Sequence, residues 1–479
     1  MKKKNFSLGW VLISLFFLSC TNLVVNEPTT NEPSINEPTT EGGKIVVPGT
    51  TLVEKFQWLK TNAKSNNTYT LEVNKDEYLL YQILSYGAEK NIVIELLGIE
   101  GKNTIFLYGK ESTIMIDAGV TLILKNISLQ GNNSNTLPLI YVGFAGKLET
   151  KEGVEILKNK SGGVFVNEGT FVMNGGSISN NDAEFGGGVF VSDGSFIMNA
   201  GVIANNTADG KNGGGGSGVF ITNGTFVMNN GQISNNTSSR AGGGVFVMSG
   251  DFSMNGGRIA GNIAKEGSGV YVWEGNFVME AGEISENDSQ WGGGTYIEKG
   301  LFTMNGGKVS KNTADYSYGN CGGGGVFVKD GAFIMNDGEI SENNSAYGGG
   351  TYVKNGTITM KNGDIISNSS QFGGGVYIDK GLFSMKGGKI SNNIVSNVGG
   401  GIYLYYGDFE KTGGIITGYS SDSVSGNVVK DGGGAILDNK GHAIYAYAST
   451  KKGKDKTSSY SDNLQFINST NTISGEWDF

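Results

Sequence analysis

Cysteine and histidine are almost absent from this 479-residue chain, which holds two cysteines, Cys20 and Cys321, and one histidine, His442. Structural and catalytic zinc sites draw most of their ligands from these two residue types, so this inventory excludes them. If Cys20 is acylated, Cys321 is the one remaining thiol and no disulfide can form within the chain. Packing and hydrogen bonds must then stabilise the fold, and neither a metal nor another cofactor is expected.

Positive charge is also scarce. Lys and Arg number 36 against 45 Asp and Glu, which gives a formal net charge of −9. Removal of the three lysines at positions 2, 3 and 4 with a signal peptide would lower the net charge from −9 to −12. A surplus of negative charge repels phosphate backbones, so nucleic acid is not expected among the partners.

A short apolar run lies between Leu8 and Leu18, after those lysines and before Ser19 and Cys20. It falls short of the roughly 20 residues that a transmembrane helix needs. The layout is typical of a signal peptide covering residues 1–19. A cysteine that follows a small residue at the cleavage point has the lipobox pattern. It predicts acylation of Cys20 and attachment to a membrane, with simple secretion as the alternative.

Residues 20–43 contain a repeated Asn-Glu-Pro sequence, with prolines at Pro28, Pro33 and Pro38 among Thr, Ser and Asn. Almost nothing in this segment could form a hydrophobic core. Proline favours an extended chain, and the polar residues keep that chain hydrated. The segment is therefore interpreted as a tether between the lipid and a folded body.

Glycine, in contrast, is abundant, with 80 residues. It punctuates the repeat Gly-Gly-Val-Phe-Val-x-x-Gly-x-Phe-x-Met-Asn-Gly-Gly-x-Ile-Ser-Asn-Asn, which returns about every 25 residues. Each copy has three short apolar segments of period two, which indicate three β-strands. A unit this short must stack on its neighbours to bury a core. The sequence predicts an all-β, right-handed parallel β-helix.

The predicted organisation has three parts after the tether. Residues 44–160 form an N-terminal cap and irregular coils, with a short amphipathic helix from Thr51 to Lys60. Residues 161–448 form about ten regular coils. Residues 449–479 form a C-terminal cap or tail, which closes the far end together with His442.

Equivalent positions vary little among the copies when their side chains point inward. One apolar column is Phe171, Phe196, Phe226, Phe252, Phe277, Phe302, Phe333 and Phe383. The next is Met173, Met198, Met228, Met254, Met279, Met304, Met335, Met360 and Met385. A third is Ile178, Ile203, Ile233, Ile259, Ile284, Ile340 and Ile390. Stacked side chains of this kind predict a hydrophobic interior, with methionine as core filler.

An asparagine recurs three residues after the isoleucine while the residue before it varies. These positions predict an inward ladder of stacked side-chain amides that hydrogen-bond to one another and to the turn backbone. The ladder comprises Asn181, Asn206, Asn236, Asn262, Asn287, Asn312, Asn343, Asn368 and Asn393. The residue after each Gly-Gly or Asp-Gly pair instead predicts an outward row of mostly alternating charge, with a structural role. This row reads Arg258, Glu283, Lys308, Glu339, Asp364 and Lys389.

A further column, from Phe165 to Tyr403, lies between two inward positions, as in Val164-Phe165-Val166. Alternation turns it outward, and an exposed apolar stripe would mark a partner site. The alternative is an inward aromatic stack sealed at one corner. Its tyrosines are Tyr271, Tyr296, Tyr352, Tyr377 and Tyr403. A second candidate site consists of aromatics that either stack on sugar rings or pack against loop bases. These are Trp273, Trp291, Tyr347 and Phe372.

The repeat resembles those of spirochaetal, treponeme-type β-helix lipoproteins, over residues 44–479. It is also similar to polymorphic outer membrane protein repeats. Their Gly-Gly-Ala-Ile motif corresponds to Gly187-Gly188-Val189-Phe190, and their Phe-x-x-Asn motif to Ile178-Ser179-Asn180-Asn181, where Ile replaces Phe. The polymorphic proteins end in a barrel, whereas the tail here is polar. The resemblance implies an envelope location, most simply the outer membrane or cell surface, and an adhesin-like or antigenic role.

Three functions remain open at this stage. The first is a non-catalytic adhesin or display module that binds a host-matrix protein or a carbohydrate. The second is a polysaccharide lyase or glycosidase, which would need a carboxylate pair about 5–10 Å apart. Acidic residues here are scattered or paired with lysine, and no catalytic residue is assigned. The third is a passive structural coat, which would have no saturable ligand.

Overall fold

A computed structural model describes residues 38–478, apart from 211–213, 315–320, 420–422, 438–439, 448–463, 467–472 and 475–476. The predicted signal peptide, Cys20 and most of the predicted tether lie outside these residues. The fold is the predicted right-handed parallel β-helix. One sheet passes through every turn and has 15 strands, so about 15 turns stack. The turns outnumber the ten regular coils because irregular segments at both ends occupy the same strand positions.

The 15-stranded sheet takes one strand from each turn, and each strand pairs in parallel with its neighbours. In chain order the strands are Gln82–Leu84, Ile114–Ile116, Ile140–Val142, Val164–Asn167, Val189–Ser192, Val219–Thr222, Val245–Val247, Val270–Val272, Thr295–Ile297, Val326–Val328, Thr351–Val353, Val376–Ile378, Ile402–Leu404, Ile444–Ala446 and Trp477–Asp478.

A 30-stranded sheet forms the other walls in two rows, joined where two long strands bend through both. The first row is Thr39–Glu41, Lys44–Val46, Thr68–Val73, Ile92–Gly98, Val120–Lys125, Lys147–Thr150, Thr170–Ser179, Ser195–Ala204, Gly224–Met228, Gly250–Met254, Asn276–Met279, Leu301–Met304, Ala332–Met335, Thr357–Met360, Leu382–Met385, Asp408–Lys411 and Leu464–Phe466. The second row, which shares those two long strands, adds Glu77–Leu79, Asn103–Leu107, Ile127–Gln130, Glu155–Leu157, Gln232–Ser234, Arg258–Ala260, Glu283–Ser285, Lys308–Ser310, Glu339–Ser341, Asp364–Ile366, Lys389–Ser391, Ile415–Thr417 and Ile473–Ser474.

Three small sheets cross the turn that precedes the glycine run. They comprise Asp182–Ala183, Thr207–Ala208 and Thr237–Ser238; Asp288–Ser289 and Thr313–Ala314; and Ser369–Phe372, Ile394–Val398 and Val428–Val429.

The structure extends the sequence prediction at both ends of the β-helix. Thr39–Glu41, at the end of the predicted tether, pairs antiparallel with Lys44–Val46 and begins the fold. The predicted capping helix is present as Leu52–Asn62, and Thr51 caps its N-terminus in a capping box with Glu54. At the far end His442 is buried, and its Nδ1 accepts the backbone N–H of Val429.

The interior is built as predicted. The Phe, Met and Ile columns are at most 1% exposed throughout the regular coils. Parallel pairing places each phenylalanine directly over the next, as with Phe277, whose ring lies 4.7 Å from that of Phe252 and 4.5 Å from that of Phe302. Stacking at this spacing is close to the strand separation of about 4.8 Å, so the rings fill the interior without gaps.

The predicted asparagine ladder is confirmed. In each step one side-chain amide donates to the Oδ1 of the next asparagine, at 2.7 to 3.1 Å. The ladder runs further than the repeat indicates, because Asn135 donates to Asn159 and Asn393 to Asn427. From Asn159 to Asn393 the residue before each rung has a positive φ even when it is not glycine, as at Glu286 with a φ of 59°. The buried amides therefore hold a turn that most side chains disfavour.

The outward row of charges also lies in register. Arg258 pairs with Glu283, and Lys308 with Glu339, with N–O distances of 3.6 and 3.0 Å. The row contains one like-charged step, since Glu339 lies opposite Asp364. Its ion pairs are exposed and each contributes little to stability.

Candidate functional site

The outer face of the 15-stranded sheet carries the aromatic column, defined as the stacked side chains from Phe165 to Tyr445. Its members alternate with residues that face the interior, such as Val270 and Val272 on either side of Tyr271. Tyr271 lies over Tyr296 with ring centroids 5.0 Å apart. The column forms a hydrophobic cluster of its own, separate from the interior.

The prediction that this column is exposed to solvent is wrong. Only 2% of Tyr271, 4% of Tyr296 and 7% of Tyr352 is accessible. Tyr377 and Tyr403 are buried to a similar extent. These rings cannot meet a partner directly, so the apolar stripe is a second core.

A second layer buries the column, formed by the residues immediately before the glycine runs. This covering row consists of Phe185, Gly215, Ala241, Glu266, Trp291, Gly322, Tyr347 and Phe372. From Ala241 onward its members pair with one another by parallel bridges, one from each turn. The row therefore repeats with the helix and covers the column in the turns from Phe185 to Phe372.

The glycine after the covering row lets the chain fold back over the column. Gly292 has a φ of 63°, and a Cβ there would lie 2.7 Å from the carbonyl oxygen of Thr295. Both features favour glycine at this turn. The reversal places the Trp291 ring 5.2 Å from that of Phe327, one turn further along.

All nine predicted aromatic site residues belong to this one cluster. The five tyrosines are the buried members of the cluster, and the other four are half-buried and pack over or beside them. Tyr347 stacks on Phe372 at 5.4 Å and meets Tyr377 edge-on at 5.2 Å. Trp273 lies across the column from the covering row, 6.4 Å from Tyr271. Packing against loop bases thus accounts for Trp291, Tyr347 and Phe372, whereas Trp273 borders open surface.

That open surface is a shallow recess of about 550 Å³. The Nζ of Lys299 lies 5.3 Å from the centre of the Trp273 ring and 2.8 Å from a carboxylate oxygen of Glu274. The recess is lined by polar side chains of four successive turns, among them Glu274, Asn276, Lys299, Asp330 and Asn355. Trp273 lies outside this lining and is linked to it by Lys299, so the recess supplies several hydrogen-bonding groups beside an indole ring.

Sequence reasoning missed a group of charges beside Tyr271. Glu298 is 7% exposed, yet it accepts hydrogen bonds from Lys329 at 2.5 Å and from the Tyr271 hydroxyl at 3.4 Å. The only sequence signal is that Glu298 and Lys329 stand two residues after the column, on the same outer face. Their contact depends on coils that are 31 residues apart.

Glu266 faces this group from the covering row. Burial raises the pKa of the Glu266 carboxyl, and the neighbouring Glu298 raises it further, while Arg240, Lys329 and Lys265 act in the opposite direction. Burial and the charge of Glu298 also raise the pKa of the Tyr271 hydroxyl. Lys329 forms its ion pair with Glu298, whereas Glu266 has the charge of Glu298 as a like-charged neighbour.

A tyrosine cluster near the last regular coils was also missed. Tyr405 lies 4.1 Å from Tyr406 and 5.1 Å from Tyr447, measured between ring centroids, and Tyr447 is 57% exposed. The sequence did contain a signal for it. Tyr405 and Tyr406 occupy positions that are Asp379 and Lys380 in the preceding coil.

Comparison with protein-family models, with curated proteins and with solved structures found no match for this chain. Within the described part of the chain, no helix has the length and apolar character that crossing a bilayer requires. The described residues also contain no group of three or more His, Cys, Asp or Glu side chains placed to hold a metal ion. The chain is a β-helix repeat protein.

Proposed function

We propose that this protein is a lipid-anchored β-helix of the cell envelope, displayed at the surface, that binds a glycan without cleaving it. The observation that carries the binding role is the half-buried Trp273 beside the polar recess of Glu274, Lys299 and Asn355. A sugar ring presents one apolar C–H face and a rim of hydroxyls. The indole face suits the former, and the carboxylate, ammonium and amide groups suit the latter.

Support for the anchor comes from the sequence. The signal-peptide layout, Cys20 and the Asn-Glu-Pro tether follow one another in the order that a lipoprotein requires. The resemblance to treponeme-type lipoproteins and to polymorphic outer membrane protein repeats points to the same location. Protease shaving of intact cells tests it. Surface display predicts loss of the protein from intact cells and release of a Cys20→Ala variant into the medium, whereas full protection would place the protein in the periplasm.

Glycan binding is tested by titrating purified protein against an array of glycans and matrix proteins. A Trp273→Ala variant is expected to lose at least about tenfold in affinity, because the stacking surface is removed. Phe144→Ala is the matched control, since Phe144 is 66% exposed and follows the same sheet five turns earlier, about 24 Å away along the axis. Equal affinity of the Trp273→Ala variant and the wild type would reject the recess as the site. The absence of any saturable ligand would favour a passive coat.

Cleavage of a polysaccharide is the second candidate, and the Glu266 and Glu298 pair favours it. Enzymes that cleave glycosidic bonds use a general acid whose pKa is raised by its surroundings, and burial raises the pKa of Glu266. Binding remains the stronger proposal because Glu298 is nearly inaccessible and is already held by Lys329 and Tyr271. Release of reducing ends from an acidic polysaccharide, abolished by Glu266→Gln, would establish catalysis instead.

A further inference from the structure

The N-terminal turns carry an exposed apolar surface that the function proposed above does not use. We define this N-terminal patch as Tyr78, Leu80, Tyr81, Ile83, Phe106 and Tyr108. Tyr78 is 68% exposed, Tyr108 66% and Leu80 64%. Exposed apolar side chains are ordinary when scattered singly, but a contiguous group marks a contact surface.

The patch is contiguous around one corner of the β-helix. Tyr78 and Phe106 are partners in register, and their rings stack at 5.1 Å. Tyr108 meets Tyr78 edge-on at 6.1 Å. Around the corner, the Tyr81 hydroxyl lies 3.8 Å from the sulfur of Met115, which is the register partner of Ile83.

The part of the patch at Ile83 is exposed because the covering row begins only at Phe185. Ile83 and Met115 occupy the outward position that the aromatic column continues in later turns. In the regular coils this position is roofed, and Phe220 is only 2% exposed. Ile83 is 43% exposed. The apolar outer face of the 15-stranded sheet thus extends into N-terminal turns that have no covering row.

The patch also lies where the chain enters the fold. The carboxylate of Glu77, directly before Tyr78, accepts the backbone N–H of Leu52 at the start of the helix at 2.8 Å. That helix follows the strand pair that begins at Thr39. Between Cys20 and this strand pair lie fewer than 20 residues, which span at most about 65 Å when fully extended. A lipid on Cys20 would therefore keep the patch near the bilayer.

We propose that the N-terminal patch contacts the lipid bilayer surface and seats the first turns of the β-helix on the membrane. Tyrosine rings favour the headgroup level, where the ring is in apolar surroundings and the hydroxyl reaches water. Charges of both signs flank the patch, with Lys75 beside Asp76 and Lys110 beside Glu111, so anionic lipid is not required. The inference rests on the lipid anchor of the proposed function.

A bilayer fits the size of the patch better than a second copy of the chain does. Its partly exposed side chains offer on the order of 500 Å². A stable dimer usually buries about 800 Å² on each partner. A tethered surface needs less contact, because the tether keeps the local concentration of membrane high.

Hydroxyl-radical footprinting of the mature chain, residues 20–479, tests the proposal. Cys20 is coupled to a maleimide phospholipid in phosphatidylcholine vesicles, and Cys321 is fully buried, which directs the reaction to Cys20. Oxidation of Tyr78, Tyr81 and Tyr108 is expected to fall at least about fivefold relative to protein capped with N-ethylmaleimide. Oxidation of Tyr447, near the other end, is expected to stay unchanged.

Three results would overturn the proposal. Unchanged oxidation on vesicles would reject the bilayer as the partner. If the three tyrosines already resist oxidation in the dilute capped protein without vesicles, the patch would be covered by the chain's own N-terminal segment. Protection of capped protein that appears only at high concentration would assign it to a second copy. Because the lipid is attached chemically, none of these results depends on whether cells acylate Cys20, which the shaving experiment tests separately.

A pair of variants checks which side chains carry the contact. Tyr78→Ser with Tyr108→Ser is expected to reduce the protection of Tyr81 on vesicles at least about threefold. Ile263→Ser with Ile415→Ser is the control, because these isoleucines are 50% and 47% exposed on the regular coils, away from the patch. Equal protection of Tyr81 in both variants would also reject the patch as the contact surface.

Discussion

The Oδ1 of Asn287 accepts two hydrogen bonds from Asn262, one turn earlier, from the side-chain amide at 2.9 Å and from the backbone N–H at 3.0 Å. The Asn287 amide in turn donates to Asn312. Each rung of the ladder thus satisfies both the previous rung and the turn backbone in an interior that water does not reach. The polar ladder joins neighbouring turns as continuously as the hydrophobic columns do.

Removal of one rung is therefore costly. Asn287→Ala leaves two buried donors of Asn262 without an acceptor, at about 1–3 kcal/mol each. We expect a clear fall in the urea midpoint, measured by circular dichroism. Asn199→Ala is the matched control, since Asn199 belongs to an exposed ladder with Asn174 and Asn229 that water can replace. Equal destabilisation by both variants would contradict the role assigned to burial.

The roof over the aromatic column predicts a gradient of packing along it. Phe327 is 2% exposed beneath Trp291, whereas Phe165 is half-buried in a turn before the covering row begins. Phe327→Ala should cost about 3–5 kcal/mol of unfolding free energy. Phe165→Ala should cost about 1–2 kcal/mol, because part of that ring already meets water. Chemical denaturation of both variants measures the two unfolding free energies. Equal losses of stability would show that the covering row adds no burial.

The raised pKa of Glu266 predicts that the stability difference between the wild type and a Glu266→Gln variant depends on pH. Its folded pKa is raised above the ordinary value of 4.5, so the folded state loses stability as pH rises through that raised value. Glu266→Gln should therefore be more stable than the wild type at pH 7, and the difference should vanish near pH 3. Thermal unfolding at both pH values measures it. A difference that is the same at both would contradict the origin in ionisation.

Glu95 is the matched control with the opposite sign. Burial raises the pKa of its carboxyl, but hydrogen bonds from Lys44 at 2.6 Å and Lys125 at 2.9 Å outweigh burial and lower it. Its stabilising effect is present above the unfolded value and is lost as pH falls through the folded value. Glu95→Gln should accordingly be less stable than the wild type at pH 7, with a smaller difference near pH 3.

The glycine run predicts a position that tolerates no side chain. A Cβ on Gly294 would lie 2.6 Å from the carbonyl oxygen of Gly325 and 2.8 Å from a methyl of Val309. Neither atom can retreat without separating two turns, so Gly294→Ala should destabilise by several kcal/mol or prevent folding. Gly432→Ala is the control, because nothing lies within 4 Å of the Cβ position there. Expression yield and melting temperature measure both, and a wild-type melting temperature for Gly294→Ala would refute the close approach.

Sequence reasoning succeeded where one side chain meets its own copy in the next turn. The Phe, Met and Ile columns and the asparagine ladder were all predicted in this way, since parallel stacking places identical positions together. It failed for the aromatic column. Alternation identifies the face of the strand on which Tyr271 lies, but says nothing of what covers that face.

The charged group beside Tyr271 shows the same limit of prediction from repeated positions. Glu298 and Lys329 occupy equivalent positions in neighbouring turns, but Glu266 occupies a different position in a third turn, so no periodicity relates it to them. Lys329 also follows a longer coil, which places it 31 residues after its partner. A search over equivalent positions therefore cannot place Glu266 beside the other two residues.

The sequence by itself determined the β-helix, its interior and its polar ladder, because each depends on contacts between equivalent residues at a constant spacing. The tertiary structure alone decided which outward surfaces meet solvent. Chain reversals at glycines such as Gly292 carry the covering row over the aromatic column from Phe185 onward, and leave Ile83, in the same outward position, open to solvent. Burial of an outward face depends on contacts between unlike positions, and those exist only once the turns are stacked.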